Sequence, residues 1–475
     1  MKVTQVSIQQ TEAAKAAGRP VLTPELLAAS AARYSRNNEG LEAILKRIDP
    51  DNLDRSVDSI FRMLDYGHQS IADMVPVAMF MDGISIWLAY YVWTLCPTAG
   101  GQESSTRYIE MGPEALVPAE LLGIPEHILP EWQDSMNASF DAYRKALELW
   151  DGIGKAYPEL TSIPPEVLAD ESEKGRKKVL RMQRNYRFDR ARCYLPVACA
   201  TNMMLIMSAR GWARLCQHLS SHPLPEAQLL ADRIRAELKL SAPRLMRHAQ
   251  KTDSIVQGIA REWDALVKES KAGLPPELAA SGAAAARTPD VTLSISCPSE
   301  LGQAAGAAFA DALQFHDNRY AWQGSALERT AVRFRCEAIS LGEIRDLNRH
   351  RTGSKYCPMR PLGFYSSLDQ LPAGCVDQSI QELRELNEVG RKLSSRMHEL
   401  VAKSEHTSIY WSLLGTQYLF EHLTTADKFI YEAELRTGMG SHFRYAKHLK
   451  DALQKWYALY PETKGMIKEG DAEPE

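Results

Sequence analysis

An interruption from Lys271 to Asp290 divides this 475-residue chain. It combines Leu274-Pro275-Pro276 with the run Ala279 to Ala286, small and proline-bearing residues with little to bury, and reads as the end of a helix followed by a linker. After it, the pattern of the first half starts again. Val3 to Gln9 alternates like a short strand, and so does Val291-Thr292-Leu293-Ser294-Ile295. Each half then runs through helix, polar loop, strand, helix, a polar motif loop and long helices. A recurrence of about 200 residues points to a domain duplication rather than a solenoid of short repeats. The length agrees, because a chain this long outgrows one ordinary core. The expected organisation is residues 1–270 as one repeat, 271–290 as linker and 291–475 as a second repeat, in an α+β fold.

Local signals fill in the elements. Thr23-Pro24-Glu25 opens a helix: a hydroxyl cap, a proline in the first turn and an acid at the positive end of the dipole. Helical spacing continues from Leu26 to Ser35 and from Val57 to Leu64. Val75 to Trp93 is apolar, β-branched and aromatic, as for a strand leading into a helix. Glu131–Leu149, Lys178–Arg187, Met203–Leu219 and Glu226–Leu245 read as helices. In the second half a helix is expected over Glu300 to Leu313. Ala331 to Cys336 alternates like a strand, with a helix ending near Asn348. Ser379–Leu400 and Trp411–Leu453 read as helical.

Composition removes several classes. Hydrophobic residues make up 45% and charged residues 24%, as in ordinary globular domains. A net charge of −4 argues against a sequence-independent nucleic-acid binder, while leaving room for a small phosphorylated ligand held by a few arginines. No apolar run reaches about 18 residues, so no membrane span is expected. The eight cysteines form no CxxC pair, so neither a zinc ribbon nor a redox dithiol is read, and no metal site is assigned. Unpaired cysteines without an export signal suggest a cytoplasmic, reduced setting.

The chemistry is carried by two loop fragments. The second half holds Arg349-His350-Arg351-Thr352-Gly353-Ser354, and the first holds Gln102-Glu103-Ser104-Ser105-Thr106-Arg107-Tyr108. Around them stand Ala31-Ala32-Arg33-Tyr34-Ser35, Gly67-His68-Gln69-Ser70-Ile71-Ala72-Asp73, Arg192-x-x-Leu195-Pro196 and Ser208-Ala209-Arg210. The second half adds Ser325-x-x-Glu328 and Leu435-Arg436 with Ser441-His442. Together these resemble the flavin-dependent thymidylate synthases (ThyX), whose signature loop is R-H-R-x-x-S-x-N-E-x-S-x-R-Y. The signature is split here. Leu95-Cys96-Pro97 stands where the first half would carry the basic triplet. Tyr356-Cys357-Pro358-Met359 stands where the second would carry N-E-x-S. The resemblance covers most of 20–250 and 290–455. It implies two fused, diverged repeats of that family's unit, each a small antiparallel sheet packed with long helices.

The resemblance also implies roles. Glu103, Ser105, Arg107 and Tyr108 would hold a uridine nucleotide, Arg107 offering a two-pronged donor to phosphate. Arg192 and Arg436 would reach the pyrimidine oxygens, where negative charge develops. Ser70, Ser325, Glu328, Arg349, His350 and Arg351 would lie on FAD. NADPH and methylenetetrahydrofolate would be co-substrates for converting dUMP to dTMP, with the cofactor doing the hard step. Two fused chains would pair as a homodimer that mimics the family's tetramer, the first repeat giving the nucleotide loop and the second the flavin loop.

Plainer readings stand beside these. Arg107 and Arg192 could be structural ion-pair partners, Glu103 a solvated loop acid, His350 a helix-end cation and His68 a loop-ordering group. The cluster Trp87, Tyr90, Tyr91 and Trp93 reads as core, occupying space that flavin would otherwise use. Two further functions compete: a non-catalytic flavin- or nucleotide-binding protein, and a flavoenzyme of different one-carbon or redox chemistry using Tyr356 or Cys357.

Overall fold

The computed structural model describes residues 1–34, 40–49, 70–279, 290–371 and 378–470, together with 52, 55, 57 and 58. The helix expected from Val57 to Leu64, Ser35 and the stretch Gly67-His68-Gln69 fall largely or wholly outside the described residues. The chain is α+β and forms two compact units. The first comprises 1–104, 117–124 and 199–263; the second comprises 105–116, 125–198 and 264–475.

The first unit is built on an antiparallel sheet of β1 (Lys2–Val6), β2 (Pro76–Ser85), β3 (Gly100–Glu103) and β4 (Ala200–Ser208), in the order β1-β2-β4-β3. β2 carries a bulge between Asp82 and Ile84, where Gly83 takes φ +69°, a conformation glycine adopts without strain. β2 ends at Ser85, whose Oγ accepts from the Leu88 amide at 3.0 Å and so opens the helix Ile86–Leu95. Ser208 does the same for the helix Ala209–Ser221 through the Gly211 amide. The helix Pro225–Ser241 packs on β1 and β2. Trp212, Leu215, Leu219, Leu230 and Ile234, all fully or nearly fully buried, form this unit's core.

The second unit repeats the architecture. β5 (Val291–Ser296), β6 (Ala331–Ser340), β7 (Ser354–Tyr356) and β9 (Thr416–Thr425) lie in the order β5-β6-β9-β7, with β8 (Gly363–Phe364) also on β9. β6 bulges between Cys336 and Ile339, as β2 does. It too ends at a serine cap, Ser340, before the helix Leu341–Leu347. The helices Ala426–Thr437 and Phe443–Leu459 pack on each other, around Phe334, Phe420, Phe429 and Trp456. The long helices Leu129–Ala156, Glu173–Ala191 and Gln378–Ala402 complete the unit. Two sheets with equivalent strand orders and equivalent caps bear out the reading of two repeats. Among the described residues no helix is long and apolar enough to cross a membrane.

The same architecture corrects two expected helices. Met203–Leu219 is the end of β4 followed by a helix, and Trp411–Leu453 contains β9 before its helices. Part of the expected linker is anchored: Pro276–Ala279 is a helical turn, Leu278 is buried, and its carbonyl accepts from Arg391 at 2.8 Å and Ser395 at 3.0 Å.

Candidate functional site

In the second unit the helix Leu341–Leu347 is fixed at its start and leads at its end into the basic triplet. Ser340 donates from its amide and its hydroxyl to Glu343 Oε2, at 3.0 and 2.6 Å, while Ser340 caps the helix in return. Burial opposes ionisation of Glu343, yet His448 and Arg444 hold its carboxyl down at about 2. One turn on, Asp346 is presented in the interior, immediately before Arg349-His350-Arg351.

Backbone pairing brings Arg192 to it. The turn Arg192–Tyr194 follows the helix Glu173–Ala191 and pairs with the segment before β9. Leu414 donates to Leu195 O at 2.9 Å, Gly415 to Cys193 O at 2.7 Å, and Val197 to Ser412 O at 3.0 Å. Gly342 donates in turn to Leu414 O at 2.8 Å. Arg192 Nη2 then donates to Asp346 Oδ2 at 2.9 Å, with side chains only 4% and 7% exposed. Arg349 Nε stands 3.7 Å from Asp346 Oδ1. Burial opposes charge on Asp346, but Arg192, Arg349, Arg107 and Arg436 together hold it well below the usual carboxylate range.

A second carboxylate sits beside the first. Arg107 donates to Asp189 through Nε and Nη2, at 2.7 and 2.6 Å, and through Nη1 to Gly440 O at 2.7 Å. Asp189, at the end of the 173–191 helix, is buried; the charges of Arg107 and Arg192 outweigh that burial and hold its carboxyl low. His442 donates from Nε2 to Asp189 O at 3.1 Å and accepts at Nδ1 from the Arg444 amide at 3.2 Å. Burial, then the charge of Arg192, pushes it down to about 3, so it is neutral near pH 7.

Arg436, near the end of the 426–437 helix, donates from Nε to His350 Nε2 at 2.7 Å. That bond requires an unprotonated Nε2. Burial, with Arg436 and His422 adding, pushes His350 down to about 4 despite Glu432. Lys355 donates to His350 O, and to Thr352 O at 3.3 Å. The triplet's loop is closed by Gly353 at φ +65°, where a Cβ would stand 1.9 Å from Leu423 O. Four guanidiniums, those of Arg107, Arg192, Arg349 and Arg436, thus face two carboxylates and two neutral imidazoles. All four guanidiniums act on the Asp346 carboxylate, a local concentration of cations suited to an anion.

The expected residues therefore divide. Arg107, Arg192, Arg349, His350 and Arg436 come together. Ser105 accepts from the Arg107 amide at 3.2 Å and orders the loop, while Tyr108 is exposed, with Arg107 5.8 Å from its ring centroid. Arg351 is half-buried. Ser325 and Glu328 are exposed on the turn Ser325–Glu328, where Glu328 accepts from Trp322 at 3.0 Å. Tyr356 is exposed on β7, and Cys357 Sγ lies 3.7 Å from Met359 Sδ. Glu103 and Ser70 belong to the first unit: Trp93 donates to Glu103 at 3.0 Å, and Ser70 is exposed at the start of the turn Ser70–Asp73. Trp87, Tyr90 and Trp93 are buried, as expected of core. The sequence reading missed Asp189, Asp346 and His442 as partners of the arginines. A signal existed for Asp346, the lone acid in Arg345-Asp346-Leu347-Asn348-Arg349-His350-Arg351.

A curated protein is similar to part of the chain. The UPF0159 protein Ta1429 of Thermoplasma acidophilum is 28% identical over 238 residues, covering 46% of this chain and 47% of that protein. The chain thus spans about half the length of the curated relative it matches. The matched family, described as thymidylate synthase complementing protein, includes in its span Glu103, Ser105, Arg107, Tyr108 and Arg192. The family resemblance read from the motifs is accordingly shown for residues 21–244, which match the thymidylate synthase complementing protein family.

Proposed function

We propose that the chain is a flavin-dependent enzyme that methylates C5 of a uridine nucleotide, converting dUMP to dTMP with methylenetetrahydrofolate and NADPH. One observation supports it above the rest: Arg107 and Arg192 from one motif set, and Arg349 and Arg436 from the other, surround Asp346 with an excess of positive charge. In this reading Arg107 and Ser105 bind the nucleotide phosphate, with Glu103 and Tyr108 completing the loop. Arg192 and Arg436 lie against the pyrimidine oxygens and stabilise the negative charge that grows there as C5 turns nucleophilic. The neutral His350 accepts from Arg436 and so fixes the plane of that guanidinium.

The donor set fits an anionic cofactor. Arg349 is 36% exposed and, among the described residues, its side chain makes a 3.7 Å approach to Asp346, leaving donors for a diphosphate. Arg349, His350, Arg351, Ser325 and Glu328 of the second unit would hold FAD, which supplies the reducing equivalents when bound. Two chains would pair as a homodimer imitating a tetramer.

One observation favours a second reading, a flavin- or nucleotide-binding protein without catalysis: the fork of Arg107 is already occupied by Asp189. Purified full-length protein decides between them. The enzyme reading expects an FAD absorption spectrum and release of tritium from C5-labelled dUMP with methylenetetrahydrofolate and NADPH. A yellow protein that releases none leaves the binding reading, and a colourless protein that also binds no dUMP removes both.

A further inference from the structure

The helix Glu173–Ala191 buries Gly175, Met182 and Tyr186 on one side and turns a row of cations outward on the other. Lys174, Lys177, Lys178, Arg181 and Arg184 recur at three- and four-residue spacing, so they share a face, and all five are exposed. At the rise of an α-helix the row is about 15 Å long. Acids gather only at its start. Glu173 pairs with Lys177 at 2.6 Å, and Asp170 lies within electrostatic reach of Lys174 and Lys178. Beyond them the helix carries no acid until the buried Asp189, and Arg181 enters no ion pair among the described residues.

The row runs into the loop that carries Arg107. Arg184 donates from Nη2 to Tyr108 O at 3.3 Å, and further along the same helix Asp189 takes the fork of Arg107. Tyr108 and Ile109 are exposed beside it. Loop and helix belong to one compact unit, so a ligand seated at the loop has a cationic track leading away from it. Cations in line attract a linear polyanion. Single-stranded nucleic acid is held largely by stacking on aromatic rings, and this helix exposes none; Tyr186 and Phe188 are both buried. A run of carboxylates needs no rings, because each carboxylate accepts directly from an ammonium or guanidinium.

We infer that this face binds the oligoglutamyl tail of the one-carbon co-substrate, a chain of linked glutamates with a free carboxylate on each, running from Arg184 towards Lys174. The inference rests on the reading of a folate co-substrate at the neighbouring site. Each exposed contact is weak alone. The tail is tethered to a ring held at the site, so its contacts form at high effective concentration and add to one another.

The test is calorimetry on the intact protein with tetrahydrofolate carrying one glutamate, the same compound carrying five, and free penta-γ-glutamate. The five-glutamate form should bind about tenfold more tightly than the one-glutamate form at low salt, and about 0.5 M sodium chloride should remove most of that preference. Lys178→Glu combined with Arg181→Glu should bring the two forms within about twofold of each other, by weakening only the longer one. If the charge reversals disturb the fold by circular dichroism, Lys178→Gln with Arg181→Gln carries the same expectation. Folate forms that bind equally, or a preference that survives both pairs of substitutions, overturn the inference. If neither folate form binds, the co-substrate reading has failed, and free penta-γ-glutamate decides for the face by itself: binding that the paired substitutions abolish supports it, and no binding overturns it. A single-stranded oligonucleotide that displaces the pentaglutamate and loses more affinity than it in the same variant overturns the inference in favour of nucleic acid.

Discussion

Arg192 Nη2 lies 2.9 Å from Asp346 Oδ2, both side chains almost wholly out of solvent. This contact ties the turn after the long 173–191 helix to the helix that carries the basic triplet. Removing one member of a buried pair strands the other. Asp346→Asn keeps the shape but leaves four guanidiniums against one carboxylate. It should lower unfolding free energy by about 3 kcal/mol, read from urea denaturation. A loss under about 1 kcal/mol would mean that solvent already reaches Arg192.

The two halves of the motif should separate by ligand. Arg107→Lys keeps the charge that neutralises Asp189 but loses the fork. It should weaken dUMP binding about a hundredfold, with flavin retained. Arg349→Ala should release flavin and leave dUMP affinity within about threefold. Calorimetry and the visible spectrum of each variant give both quantities. Equal loss of both ligands in both variants, with the fold intact, would refute a divided site.

Histidine burial predicts a pH window. His350 falls from 6.5 in the unfolded chain to about 4 in the folded one. Its folded form resists protonation, so stability is full above pH 6.5 and declines as pH drops towards 4, by about 3 kcal/mol at most. His442, pushed down to about 3, adds to the same decline. The low carboxyls of Asp189 and Asp346 act elsewhere, stabilising above their ordinary range near 3.8 and losing that contribution only below it. His350→Asn should flatten part of the slope between pH 4 and 6.5. A parent protein equally stable across that window would contradict the buried neutral imidazole.

The two repeats secure equivalent serine caps differently. In the second, Glu343 reaches back from the same helix to Ser340. In the first, the fully buried Glu226 arrives from the 225–241 helix, and the amide and hydroxyl of Ser85 donate to it at 2.7 Å each. Glu226→Ala should therefore cost about 3 kcal/mol, and Glu226→Gln clearly less, since it keeps an acceptor. Thermal unfolding of the two variants tests the order; the reverse ranking would show that the carboxylate charge, not its hydrogen bonds, is what matters.

Much of this was legible in the sequence, and the failures have physical causes. β2 showed itself as an apolar, β-branched run leading into an apolar helix, and β6 by its alternation from Ala331 to Cys336. β4 did not, because Met203-Met204-Leu205-Ile206-Met207 is rich in flexible residues with good helical propensity; its pairing with β2 and β3 overrides that preference. β9 is a central strand with both faces largely buried, so it lacks the alternation that marks an edge. The arginines stood out by motif. Their aspartates did not, because Asp189 is separated from Arg107 by 82 positions and Asp346 from Arg192 by 154, and only the folded chain makes them neighbours.

The bidentate grip of Asp189 on Arg107 has a kinetic meaning. In the proposed site an incoming phosphate would not meet a bare cation; it would have to substitute for a tethered rival that never diffuses away. The exchange makes binding sensitive to small movements at the end of the 173–191 helix, since easing Asp189 back frees both prongs together. If a phosphate does bind there, a change along that helix would alter how long it stays without touching it.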